Sequence, residues 1–149
     1  PKRGENEQMK LDADEALRRL KLHTHGTCST LHPERGIDSV PAVYAIDEDG
    51  YLGIPIDRVK PKTSTKLQRK SNLEIDPRAT LLVDKWDDID WGQLWWVRAH
   101  LEWQGESQSS RAATLSSLLA QRYPQYSDEP FERILVFRIA AITGWSAAN

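Results

Sequence analysis

Between Arg58 and Arg78 the chain carries seven basic residues, Arg58, Lys60, Lys62, Lys66, Arg69, Lys70 and Arg78, against two acidic ones, Glu74 and Asp76. That local balance of +5 sits in a chain of net charge −2, which leaves −7 for the remainder. Thr63, Ser64 and Thr65 add hydroxyls in the middle of the segment, and Ser64 is of the type that caps a helix start. Cations, hydroxyl donors and the free N–H groups of a helix N-terminus make a cradle for an anion, phosphate above all. A solvated Lys-rich loop has the same composition. RNA fits less well, because no aromatic residue interleaves with the basic ones as a stacking platform needs.

Other chemistries lack their signatures. The chain has no GxSxG elbow, no GxGxxG fingerprint and no GxxxxGK[ST] loop. His23, His25 and Cys28 could be half of a metal site, but no second pair follows at ligand spacing. Asp84, Asp87, Asp88 and Asp90 offer oxygen ligands without the Gly and terminal Glu of a calcium loop. Cys28 reads as a structural thiol. Trp86, Trp91, Trp95, Trp96 and Trp103 crowd one stretch and are mostly core or interface anchors. Trp96 is the exception, since it shares the polar side of a strand with Arg98, where a flat ring beside a cation suits an aromatic anion.

These residues must be held by short elements. Asp12 with Glu15 resembles a capping box for a helix over residues 12–22. β-like segments follow at Gly26 to Leu31, Ile37 to Ile46 and Tyr51 to Ile56, read as a three-stranded meander, with Pro41 and Pro55 marking edges or openings. A short basic helix runs from Ser64 to about residue 75 and stops at Asp76-Pro77, ahead of a strand from Ala79 to Lys85. Leu94 to Gln104 alternates strictly, with Trp95, Val97, Ala99, Leu101 and Trp103 on one face. A helix starting at Ser109 or Ser110 is stopped by Pro124. Arg133 to Trp145 is the last strand, with Leu135, Phe137, Ile139 and Ala141 on one side. The expected class is α+β, β-rich, a six-stranded antiparallel barrel with a few flanking helices.

The 149 residues fit one domain over residues 12–149 behind a disordered polar tail, residues 1–11. The balanced charge gives no reason to expect nucleic acid. No apolar run long enough for a membrane span is present, and the N-terminal residues lack the apolar stretch of a signal peptide. With its single cysteine, the chain is expected to be cytoplasmic.

A strand ending Ile56-Asp57, a Lys60-Pro61-Lys62-Thr63 loop, a helix reaching Asn72-Leu73, and Asp76-Pro77-Arg78 together resemble the pyridoxamine 5'-phosphate oxidase-like split-barrel family. The resemblance extends through GIDSVPAV from Gly36, Leu82-Val83-Asp84, Leu94 to Arg98, Tyr123 to Tyr126 and the ending Gly144 to Ala147. The Lys-Pro-Lys-Thr form is similar to its deazaflavin branch. Pyridoxamine phosphate oxidases carry Ser-Arg-Lys on the phosphate helix, whereas this chain has Leu67-Gln68-Arg69.

The resemblance implies a homodimer of split barrels with coenzyme F-420, or alternatively FMN, in a groove between subunits. Lys60, Lys62, Thr63, Ser64, Lys66 and Arg69 are then expected around the phosphate. Pro41, Ile56 and Asp57 are expected near the ring system, and Trp96 and Arg98 on the groove wall, contributed by the partner subunit. The implied activity is hydride transfer to or from a small organic substrate. Asp57, His100 and Lys85 could each supply a proton, and none is singled out. A flavin- or haem-binding carrier without turnover is the remaining alternative.

Overall fold

The computed structural model describes residues 9–57, 64–106 and 108–148. Helix α1, Ala13–Leu22, starts where the Asp12 carboxylate accepts the Glu15 N–H at 2.8 Å, and it buries Ala16 and Leu20. Strands β1, Gly26–His32, and β2, Gly36–Ala42, form one hairpin, and β3, Ala45–Ile46, and β4, Tyr51–Asp57, a second. Helix α2, Ser64–Ile75, precedes β5, Arg78–Lys85, and β6, Trp95–Trp103. Helix α3, Ser109–Arg122, leads to the long β7, Phe131–Ser146. No helix among the described residues is long and apolar enough to cross a membrane.

The class is α+β and β-rich, but the sheet has seven strands rather than six, in the order β2-β1-β5-β6-β7-β4-β3, all neighbours antiparallel. The segment read as one strand from Ile37 to Ile46 breaks at Val43-Tyr44, where β2 ends and β3 begins at the opposite edge. The expected meander is therefore two hairpins at the two edges. The hydrogen-bonded row does not close, yet its edge strands are joined by two residues. From Ala42 to Ala45 the backbone reaches at most about 11 Å, so the sheet must curl until its edges approach at that corner. Tyr44 fills the corner: it is fully buried, and its hydroxyl donates to the Leu20 carbonyl at 2.5 Å.

Alternation along β6 is as the residue pattern requires, with Val97, Ala99 and Leu101 buried and Arg98 and His100 exposed. β7 departs from it. A bulge sets Leu101 opposite Ile139 and His100 opposite Ala141, so Ala140 is skipped and the face changes. Ala141 therefore lies on the outer side, away from Leu135 and Phe137, and Ile142 takes the inner one. Ahead of α1, Lys10 and Leu11 are not a free tail: the Leu11 N–H donates to the Gly144 carbonyl at 3.0 Å and its side chain packs on the core.

Helix α3 covers β4 and β7 with Leu115 and Leu119. Arg111 fixes it in place, donating to Asp47 at 2.8 Å and Asp49 at 3.2 Å while its guanidinium carbon lies 3.7 Å from the centre of the Tyr51 ring. Close approach of α3 requires Gly53, where an added Cβ would stand 2.9 Å from Leu115 Cβ and 3.0 Å from Ile134 Cγ2. Gly53→Ala is therefore expected to destabilise the protein by about 1–3 kcal/mol. A lower urea midpoint with an unchanged slope checks this, and an unchanged midpoint would show that α3 does not press on β4.

Candidate functional site

Helix α2 lies on the core-facing side of β1 and β2, and a buried amide holds it there. Asn72, fully buried, donates from Nδ2 to Thr30 Oγ1 at 3.0 Å and to Asp38 Oδ2 at 2.9 Å, while its Oδ1 accepts from Gln68 at 2.9 Å. Asp38 is also gripped by Arg35 in a fork of two 2.9 Å bonds. Those bonds, from Arg35 foremost and then from Asn72, keep its carboxyl below the usual carboxylate range. Leu73 joins the core beside Asn72.

One turn before Asn72 on the same stripe of α2 stands Arg69. Its guanidinium lies against the buried Cys28 thiol, whose ionisation is pushed up by burial and opposed by that charge. The Arg69 Nε is buried and makes no hydrogen bond, and no carboxylate pairs with this guanidinium among the described residues. Its basic neighbours are compensated: Lys70 by Glu106 at 3.0 Å and Glu74 at 3.9 Å, Arg78 by Asp76 at 2.7 Å. The first turn of α2 contains no acidic residue. Arg69 therefore brings a partly desolvated charge, uncompensated among the described residues, to a helix whose first N–H groups have no partner within the helix itself.

The other expected site residues fall in different places. Arg58, Lys60, Lys62 and Thr63 lie outside the described residues; Ser64 and Lys66 contribute backbone to the first turn of α2. Ile56 is buried in β4 opposite Arg133. Asp57 closes β4 opposite Phe131, after a bulge, and faces Tyr126, whose phenol is pushed up to about 12, by burial first and then by the Asp57 charge.

Pro41 and Arg98 lie on the outer face, in one transverse row with Thr27 and Leu82. Two strands, β1 and β5, lie between them, and the three inter-strand spacings set them about 14 Å apart. Trp96 is on the same face, with the Arg98 guanidinium carbon 5.2 Å from its ring centre. His100 occupies the next row, between Thr80 and Ala141. Arg69 meets inward-facing residues of β1, so within one chain the sheet separates it from Pro41, Trp96 and Arg98.

Asn72 and Asp38 were not among the expected site residues. The signal for Asn72 was present: a polar residue at helical spacing from Arg69 and beside Leu73, on the stripe that has to face the core.

No family model and no curated protein matches the chain. Solved structures share its fold. A FAD-binding protein from Mesorhizobium loti is similar with a TM-score of 0.65 at 16% identity, over 91% of this chain and 94% of that one. The haem storage protein HutZ from Vibrio cholerae gives 0.62 at 12% identity, over 87% and 92%. A candidate pyridoxamine 5'-phosphate oxidase from Corynebacterium glutamicum gives 0.58 at 17% identity, over 91% and 94%. What the chain has in common with them is the split-barrel fold, and these neighbours are named for different ligands.

Asn72→Leu is expected to cost about 1–3 kcal/mol, because Thr30 and Asp38 lose a buried partner. It should also speed modification of Cys28 by a thiol reagent under native conditions by about tenfold or more, since α2 covers that sulfur. Equal labelling rates in the variant and the parent would show that Asn72 does not hold α2 down.

Proposed function

We propose that the chain is an oxidoreductase of flavin type that works with a deazaflavin, coenzyme F-420, held by its phosphate and anionic tail at the Lys60 to Arg69 segment. The observation that carries this reading is Arg69, a guanidinium with a buried, unbonded Nε and no carboxylate partner among the described residues, on a helix whose first turn is free of acids. Such a group calls for an anion, and the described residues do not supply one. The split-barrel fold, found in a FAD-binding protein and a candidate pyridoxamine 5'-phosphate oxidase, agrees with a flavin-type guest.

When bound, a deazaflavin supplies hydride chemistry, and the task of the chain is to hold and orient it. Arg69 and the α2 N–H groups take the phosphate, Lys60 and Lys62 offset the charge of the tail, and the Trp96–Arg98 pair offers a flat, cationic wall for the ring system. The separation of Arg69 from Trp96 and Arg98 by the sheet supports a homodimer in which the second set comes from the partner subunit. Pro41 and Asp57 then border the groove. The preference for F-420 over FMN rests on Leu67-Gln68-Arg69 in place of Ser-Arg-Lys and on lysines beyond what one phosphate needs.

Calorimetric titration with F-420 and FMN side by side tests the reading. F-420 is expected to bind more tightly, and Arg69→Gln to weaken it by about 1.5–3 kcal/mol through loss of a charge-assisted bond. Tighter FMN binding would replace the deazaflavin with FMN. No binding of either, or an Arg69→Gln variant with unchanged affinity, would overturn the site.

A further inference from the structure

At the end of the sheet remote from Arg69, a groove of about 440 Å³ opens between the last turns of α1 and the start of β6. Its walls include Arg18, Arg19, Leu22, His23, Lys85 and Trp95. The volume lies within the range of small-molecule sites. Lys85, Trp95 and Ser146 form one transverse row of the sheet, so strand register places an indole next to a lysine. Trp95 is four residues along β6 from Ala99, which shares a row with Leu81 and Cys28. The groove is thus about 13 Å along the sheet from the thiol that Arg69 touches.

The arginines divide unequally. Arg18 uses Nε and Nη2 on both oxygens of Glu15, at 2.7 Å each, and is saturated on that edge. Arg19 gives Glu15 only its Nε, at 2.7 Å, and its guanidinium carbon stands 5.3 Å from the Trp95 ring centre. Its two terminal nitrogens make no hydrogen bond among the described residues, although the side chain is only 22% exposed. A fork with its root fixed and its tines free is preorganised for a carboxylate. Lys85 has no ion pair among the described residues and adds a second positive charge. The His23 ring meets Trp95 edge-on at 5.3 Å; burial, first, and the charge of His25 favour its neutral form, so it brings hydrogen-bonding capacity without charge.

Basic residues near a helix C-terminus also complement the helix dipole. That explains two arginines on α1. It does not explain a lysine arriving from β5, nor a tryptophan and the exposed Leu22 flanking the same opening, which give the groove an apolar, planar side as well as a cationic one.

We propose that this groove is a second ligand site, separate from the cofactor segment, for a small aromatic carboxylate whose carboxylate takes the Arg19 fork and whose ring packs on Trp95. The probe is 1-naphthoate, titrated by calorimetry into the full chain beside 1-naphthalenemethanol, acetate and inorganic phosphate. Naphthoate is expected to bind one to one with a Kd below about 1 mM. Arg19→Gln should weaken it by about tenfold or more, and Arg19→Lys, which keeps charge without the fork, by less.

The Trp95 indole N–H resonance, assigned with Trp95→Phe, should shift on addition of naphthoate. Arg69→Gln should leave naphthoate affinity unchanged, which separates this site from the cofactor reading. Equal binding of 1-naphthalenemethanol would overturn the role of charge, and equal binding of acetate or phosphate the role of the ring. No saturation, or unchanged affinity in Arg19→Gln, would overturn the site itself.

Discussion

A single buried amide sets the position of the α2 helix against the sheet. Asn72 has no access to water, and each of its polar atoms must find a protein partner or destabilise the fold. It finds Thr30 on β1, Asp38 on β2 and Gln68 one turn back on its own helix. Those bonds set the height and rotation of α2, and thereby direct Arg69 at the inner side of β1. Rotation of α2 away from the sheet would break both bonds to the sheet at once, leave buried Thr30 without its Asn72 partner and Asp38 with Arg35 alone, and release the Arg69 charge into solvent, where nothing recommends it as an anion site. The buried network therefore gives specificity of placement as well as stability.

A second constraint comes from the chain path. Because β2 and β3 occupy opposite edges and are joined by Val43 and Tyr44 alone, the sheet has to curl, and curling separates it into a core-facing and an outer side. Residues that recur on the same sequence strand thus serve different sides. Cys28 and Thr30 meet α2 on the inner side; Thr27 and Ser29 look outward with Leu82, Arg98 and His100. The two halves of the proposed cofactor site follow that division, which is the physical ground for assigning them to two copies of the chain. The groove under α1 lies at the far end of the same sheet and shares no side chain with either half.

Much of this was legible from residue order, because local signals are strong where one residue type dictates one geometry. Asp12 with Glu15 marked the start of α1, Asp76-Pro77 the end of α2, and the alternation from Trp95 to Trp103 the two faces of β6. What was not legible depends on partners distant in sequence. The break at Val43-Tyr44 follows from the burial of Tyr44 against α1, whose Leu20 carbonyl is 24 residues away. The bulge at Ala140 is fixed by the pairing of β6 with β7, and no residue in Arg133 to Trp145 announces it. At the candidate site, the basic segment and Arg69 were readable by charge. The contact of Arg69 with Cys28, and the clasp of Asn72 to residues 34 and 42 positions away, required the fold.

The central claim is that Arg69, held by the Asn72 clasp, receives the phosphate of a flavin-type cofactor. A crystal structure of the protein grown with F-420 tests it most directly. The account predicts a phosphate oxygen within hydrogen-bond distance of the Arg69 guanidinium, ahead of the first turn of α2. A phosphate bound elsewhere, with Arg69 still lying against Cys28 and making no bond to it, would contradict the account.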